Sequence, residues 1–303
     1  MVKTWSTPVA DEEKQLVPCA LCGGQKFKPS LSCEAFSYVR CASCGLVQMN
    51  PQPLESEVKR RYGAVSPGPS RGNSYGEDYL SYELANEEAF LNLQLLALED
   101  AGFSVVEKDL LLKGKDSASG AGPRILDIGC ATGKLLALLR GKGWETTGVE
   151  IGSPQAEYGR RKRNLDLRSL PLEENQFPTD SFDTVLASHL IEHLNDPAAL
   201  IREVHRILKP HGFFFITTPN ITGFQARLLQ GRWRSAIFDH LYLFSVKTLT
   251  RLLAENGFII EKIATWGGLA AGLAPAPLKR IFDKAAKSFG FGDVMIVRAR
   301  QKP

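Results

Sequence analysis

The sequence lacks any apolar run near the roughly 18 residues a bilayer-spanning helix needs, so an integral membrane protein is not expected. Its first residues, MVKTWSTPVADEEKQ, lack the apolar core of a secretory signal, which makes the cytoplasm the expected compartment. Charge of either sign is barely in excess. With 37 basic and 33 acidic residues the chain carries +4, too little to mark a dedicated nucleic-acid binder. No internal repeat is visible, so solenoids and propellers are set aside. Cysteines number only six, yet five of them fall between Cys19 and Cys44. In a reducing compartment such clustering points to metal binding sooner than to disulfides, and Cys130 stands apart from it.

What is present divides the chain. Residues 1–16 are polar. A cysteine-rich module occupies 17–53 and closes on the turn-forming Asn50-Pro51-Gln52-Pro53. Residues 54–81, rich in Gly, Ser, Pro and Tyr, read as a linker. From Tyr82 to about Leu98 a helical pattern takes over and opens a large domain over 82–303. Beyond a polar stretch, Lys113 to Pro123, apolar runs alternate with helical segments, the pattern of parallel strands and crossover helices. The strands are placed at Arg124–Ile128, Glu145–Glu150, Leu165–Arg168, Thr184–Ser188, Gly212–Thr217, Ile259–Trp266 and Asp293–Arg300. They predict an α/β fold, a Rossmann-like doubly wound seven-stranded sheet behind a small N-terminal zinc-ribbon module. The connection Leu269 to Gly292 is long enough to hold a further helix.

The segment Ile125-Leu126-Asp127-Ile128-Gly129-Cys130-Ala131-Thr132-Gly133-Lys134 reads as a buried strand ending in a glycine turn that opens a helix. Glu150 ends the next strand about 20 residues on, where a carboxylate can accept both hydroxyls of a ribose. Here the sequence resembles the class I SAM-dependent methyltransferases, whose first motif reads D/E-x-G-x-G-x-G, with Ala131 in place of the middle glycine. The resemblance implies S-adenosylmethionine (SAM) as cofactor, its methionine part held by Asp127, Gly129, Cys130 and Gly133, and its ribose by Glu150 beside Ile151. A dinucleotide-binding site is the competing reading, but its G-x-G-x-x-G spacing would need glycines where Ala131 and Lys134 stand.

Leu170 to Asp183 leads into the fourth strand, and by the same resemblance Leu172 and Glu173 lie beside the adenine. Ser188 and His189 fall at the carboxyl edge of that strand, where open α/β sheets bind ligands. His189-x-x-Glu192-His193 formally matches a zinc-hydrolase pattern, which needs both histidines on one helical face. It is read as a chance match, with a second metal at these residues as a minor hypothesis. His211, in Leu-Lys-Pro-His-Gly, occupies a family glycine position and is assigned to turn geometry. The segment from Gly223 to Phe238, with Arg227, Arg232 and Arg234 beside Trp233, reads as a substrate lid able to grip a phosphate. Ser245 to Gly257 reads as a Ser-capped, Gly-terminated scaffold helix.

Cys19-x-x-Cys22 and Cys41-x-x-Cys44, 18 residues apart, have zinc-ribbon spacing. Four thiolates fill a tetrahedral site and leave no position for water, so the zinc is expected to be structural. Glycines at 23 and 45 allow each knuckle to turn, and Cys33 is read as a buried thiol. The expected reaction is methyl transfer to a small-molecule acceptor, with a nucleotide-linked or lipid-linked sugar favoured and His240 and His189 as candidate bases. An RNA or protein methyltransferase reading the ribbon, and a noncatalytic SAM-binding protein, are the alternatives. Stable membrane insertion and nucleic acid are disfavoured. Weak peripheral membrane contact through Pro277–Gly290 is allowed.

Overall fold

The computed structural model describes residues 13–61, 74–103, 122–268, 286–287 and 290–302. In chain order they form β1 (Lys14–Gln15), β2 (Phe27–Ser32), β3 (Ser37–Cys41), β4 (Val47–Met49), β5 (Gln52–Pro53), α1 (Glu55–Arg61) and α2 (Ser74–Asp100). Next come β6 (Arg124–Ile128), α3 (Lys134–Gly141), β7 (Glu145–Val149), α4 (Ser153–Arg163), β8 (Asp166–Arg168), β9 (Phe182–Ser188), α5 (Pro197–Ile207) and β10 (Leu208–Pro219). The last are α6 (Phe224–Leu229), β11 (Tyr242–Leu243), α7 (Val246–Glu255), β12 (Phe258–Trp266) and β13 (Val294–Gln301).

Each strand read from the apolar runs is present. Together they make a seven-stranded sheet in the order β12-β13-β10-β9-β6-β7-β8, the doubly wound arrangement expected. β6 pairs in parallel with β7 and β9, and β7 with β8, so that Asp127 lies opposite Gly148 and Leu186. Two boundaries differ from the sequence reading. The segment expected to be a linker contains α1, and α2 begins at Ser74 instead of Tyr82. β10 starts at Leu208, taking in the Lys-Pro-His-Gly turn, with His211 at φ 66, the left-handed conformation a glycine would adopt freely. The Lys113–Pro123 stretch lies almost entirely outside the described residues, as does nearly all of the Leu269–Gly292 connection, including most of Pro277–Gly290, where the sequence allows weak membrane contact.

The chain divides into two compact units that interleave along the sequence. One gathers Met1–Val58, His189–Ile201 and Thr217–Val297. The other gathers Lys59–Ser188, Arg202–Ile216 and Arg298–Pro303. In the second unit α3 turns Leu135, Leu136 and Leu139 inward, and Phe103 packs between Trp144 and Phe215 at 5.6 and 5.3 Å. α4 ends on Asn164 in the left-handed conformation, and Arg140 donates to the carbonyls of Arg163 and Asn164 that the helix end leaves open. In the first unit the core is built on Tyr38, Leu46, Val47, Met49, Trp233, Phe238, Phe244 and Phe258. α7 is capped as its sequence predicts, by a reciprocal Ser245–Thr248 box, and Gly257 follows it at φ 89.

β2, β3 and β4 form an antiparallel sheet whose fourth strand is β11, contributed by residues almost 200 positions downstream. Cys33, the odd thiol, is half-buried and faces the carbonyls of Gly231 and Ala236 at 3.6 and 3.9 Å.

Candidate functional site

In the second unit, β6 delivers the chain into the turn 129–133, where Gly129, Ala131 and Gly133 all have positive φ of 74, 51 and 73. Ala131 thus adopts the conformation that its glycine counterpart would favour. At Gly133 a Cβ would meet a left-handed backbone and lie 2.5 Å from Leu165 Cδ1, which would have to move aside. Glu150, one residue past β7, accepts from the Ala131 amide at 2.9 Å through Oε2 and from the Gly152 amide at 2.7 Å through Oε1. Two amides take one acceptor site on each oxygen, and each oxygen retains another.

Burial raises both carboxyls near this turn. Glu150 is pushed up to about 7, burial outweighing its two amide bonds and Glu83 adding to it. Asp127 is pushed up to about 8 by burial, with Glu150 adding. Cys130 is buried and its thiol held well above its ordinary range by that burial and by Asp127 and Glu150, which rules out an unassisted thiolate. Ile151 is half-buried beside Glu150, Leu172 is buried in the short 3-10 helix Leu172–Asn175, and Glu173 on the same turn is exposed. Ser188 is half-buried at the carboxyl end of β9.

Sequence reasoning missed the contribution of α2. Buried Glu83 accepts from the Thr132 amide at 2.9 Å, and Glu87 bonds Arg163, which donates from its other nitrogen to the Thr132 carbonyl at 2.7 Å. Lys134 bridges Glu87 and Glu88 at 3.4 and 2.7 Å. α2 therefore clamps the turn on both sides of Thr132. The Glu83/Glu87 spacing puts both on one helix face, but nothing in the sequence indicates what that face meets.

The first unit holds a second constellation. Residues Ile191–His193 form a 3-10 turn, so the two histidines of His189-x-x-Glu192-His193 do not share the α-helical face that the hydrolase pattern requires. His189 and Glu192 lie together, Nδ1 to Oε1 at 3.2 Å, while Thr218 donates to Glu192 Oε2 at 2.9 Å. His193 instead meets His240 edge to face, with ring centroids 4.7 Å apart. Glu192, His193 and His240 offer ligand atoms within 4.8 Å of one another, so the trio able to hold a metal is this one and not His189, Glu192 and His193.

Burial would push Glu192 up, but the bond to His189 and the charges of His189, His193 and His240 overcome it and hold the acid at about 2. His240 is driven down to about 4 by burial and by His193. Its Nδ1 lies 2.8 Å from the Ser235 carbonyl, whereas the His189 side chain is 48% exposed on a left-handed backbone at φ 52.

The expected lid is largely committed to internal bonds. Trp233 is buried with its indole N–H on Asp293, Arg234 pairs with the same fully buried carboxylate at 2.8 Å, and Arg227 lies over the Phe291 ring. Arg234 beside Trp233 thus commits its Nε to Asp293, while its side chain remains 54% exposed.

The four sulfurs of Cys19, Cys22, Cys41 and Cys44 lie within 4.8 Å of one another. The closest pairs are 3.4 and 3.5 Å. Zinc bonded to sulfur at about 2.3 Å in a tetrahedron needs S···S of about 3.8 Å, so the set fits. Gly23 and Gly45 have φ of 68 and 83, and the amides of Leu21 and Cys22 face the Cys19 sulfur as those of Ser43 and Cys44 face Cys41. These are the knuckles the glycines predicted.

The family model described as "Methyltransferase domain" matches residues 107–263, just over half of the chain. Among curated proteins, the ubiquinone biosynthesis O-methyltransferase of Acinetobacter baumannii (strain AYE) is 30% identical over 107 residues, 33% of this chain and 45% of that protein. The protein of the same name from Pseudomonas aeruginosa (strain LESB58) is 33% identical over 112 residues, 35% of this chain and 48% of its own length. The chain thus spans about half the length of the curated relatives it matches. A chain of the solved complex between the Haloferax volcanii Trm112 methyltransferase activator and a methyltransferase superposes with a TM-score of 0.53 at 16% identity, covering 77% of this chain and 100% of that one, a likeness of fold. With the glycine turn, its following acid and the seven-stranded sheet in place, the chain belongs to the methyltransferase-domain family and carries the Rossmann-like α/β fold of SAM-dependent methyltransferases.

Proposed function

We propose that the chain transfers a methyl group from SAM to a small-molecule acceptor. The observation that carries this is Glu150, a raised and partly buried carboxylate at the end of β7 whose oxygens each keep an acceptor site beside the glycine turn. When bound, SAM supplies an electrophilic methyl on a cationic sulfur, with a neutral thioether as leaving group. Glu150 accepts the ribose hydroxyls, the backbone of Gly129 to Gly133 with Asp127 and Cys130 holds the methionine portion, and Ile151, Leu172 and Glu173 flank the nucleoside. Ser188 closes the strand edge. The charge of the ligand complements Asp127 and Glu150, which the unliganded fold holds partly protonated.

On the acceptor side we assign proton removal to His189 over His240. His189 is solvent-accessible, and donation of its Nδ1 proton to Glu192 leaves Nε2 as the basic nitrogen, oriented by a carboxylate that stays charged. His240, buried and tied through Nδ1 to Ser235, shapes the cluster. The curated relatives are named as O-methyltransferases of ubiquinone biosynthesis, which supports a hydroxyl as methyl acceptor; nucleotide-linked and lipid-linked sugars are the other hydroxyl-rich class to screen. Cys19, Cys22, Cys41 and Cys44 hold a structural zinc.

The test is calorimetric titration of the zinc-loaded protein with SAM, S-adenosylhomocysteine and NAD. Binding of the first two with no binding of NAD is expected. Binding of NAD alone would overturn the reading.

A further inference from the structure

We infer that the cysteine ribbon is the template on which the Glu192–His193–His240 cluster is built, with Tyr38 as the positioning residue for His240. The inference rests on the proposed role of that cluster, but its geometry lies wholly within one compact unit.

Three links tie the ribbon to the cluster. Tyr38, in β3 three residues before Cys41, is 1% exposed, and its hydroxyl lies 2.8 Å from the carbonyls of both Ile237 and His240. One hydroxyl proton shared between those carbonyls pins the turn that carries the imidazole. β4, which starts three residues after Cys44, pairs with β11 through Val47 opposite Leu243 and Gln48 opposite Tyr242. The Met49 amide donates to the Leu241 carbonyl at 2.8 Å, and the Leu241 amide donates to the Glu192 carbonyl at 2.7 Å. Strand order therefore passes from the metal knuckle through β4 to residue 241 and on to Glu192.

The hairpin between β2 and β3 also presses on the same segment. A Cβ on Gly231 would fall 2.0 Å from the Ser32 carbonyl, so only glycine permits this approach. The chain that leads into the histidine turn thus meets ribbon backbone at Gly231 and the Tyr38 hydroxyl at Ile237 and His240. His193, fixed at Nδ1 by the Asp239 carbonyl at 3.0 Å, takes its place from the same turn. A ribbon in this position sets the geometry of the histidines instead of recruiting a macromolecule.

The test follows the histidine side chains of the zinc-loaded full chain by nitrogen NMR. In the wild type, His240 is expected to keep its proton on Nδ1, donated to the Ser235 carbonyl, and to give one ring-nitrogen environment. Tyr38→Phe, which removes the hydroxyl from both carbonyls, is expected to shift the His240 ring-nitrogen resonances and to speed exchange of the His240 and Leu241 amides at least about tenfold, with zinc content unchanged and SAM affinity within about twofold. An unmoved His240 in Tyr38→Phe would overturn the inference.

Hydrogen exchange of the wild type gives a second reading that needs no variant. The amides of Cys41, Gly45, Met49 and Leu241 should exchange as one cooperative unit and accelerate together when zinc is withdrawn by a chelator. Leu241 exchanging independently of the ribbon amides would refute the template. Absence of SAM binding in the wild type would sink the functional reading alone, since neither readout depends on the cofactor.

Discussion

Replacing Glu150 by Gln removes the charge while keeping the shape, and the consequences can be worked from its two amide bonds. Glutamine presents one acceptor oxygen, so either the Ala131 or the Gly152 amide loses its partner, at a cost of about 1–3 kcal/mol to the fold. For the ligand, a hydroxyl bonded to a charged acceptor is worth about 1.5–3 kcal/mol, and losing one of two such bonds should raise the Kd for SAM roughly 10- to 150-fold. The pH dependence supplies a sharper criterion. With its carboxyl near 7, wild-type Glu150 must release a proton for the ribose below neutrality, so affinity should fall about tenfold from pH 8 to pH 6. Glu150→Gln should be flatter across the same range, the residual slope coming from Asp127. Isothermal titration at the two pH values measures both effects. A variant that binds SAM within twofold of wild type, with the wild-type pH slope, would refute the assignment of Glu150 to the ribose.

Further outcomes follow from the same geometry. Gly133→Ala, with φ 73 and a Cβ 2.5 Å from Leu165, should lower the unfolding free energy by about 2–4 kcal/mol in urea titrations and abolish SAM binding. Purified protein should carry one zinc per chain by elemental analysis, and Cys41→Ser should lose the metal together with the thermal transition of its unit. Without ligand, the folded chain holds protons on Asp127 and Glu150 that the unfolded chain, at ordinary values of 3.8 and 4.5, has already released. Since the folded pKa values are raised to about 8 and about 7, stability should fall as pH rises from about 4 to 8, and saturating SAM should flatten that decline. A melting temperature that rises over this window would contradict it.

The parts legible in the sequence were those set by local chemistry. The turn from Asp127 to Gly133, the acid at Glu150, the Ser245 cap and the paired cysteines each depend on residue type and spacing within a few positions, and the fold keeps them as read. What escaped depends on contacts between distant segments. Glu83 reaches Thr132 across 49 residues, and Asp293 pairs with Arg234 across 59. His240 sits next to His193 because a loop returns there, a meeting no periodicity announces. Likewise the role of α2 comes from Glu83 and Glu87 meeting Thr132, Lys134 and Arg163 on segments about 50 to 80 residues downstream.

The division between ribbon at 17–53 and methyltransferase domain at 82–303 is the expectation that a deletion can test. If residues 17–53 were a separate module, removing residues 1–53 would leave the remainder intact. Within its compact unit, however, Tyr38, Leu46, Val47 and Met49 are at most 1% exposed, and β11 has β4 as its partner in the four-stranded sheet. Burying side chains of this kind contributes about 1.5–3 kcal/mol each, so the four together are worth roughly 6–12 kcal/mol. That is comparable to the whole stability of a domain, about 5–15 kcal/mol. The residues left behind, among them Phe238 and Leu241, would then face water. The shortened chain, 54–303, should therefore fail to give a cooperative transition for the unit containing His240 and should aggregate on heating. A fragment that melts as one cooperative species near the full-length temperature, with dispersed histidine signals, would show that the ribbon only decorates a self-sufficient domain.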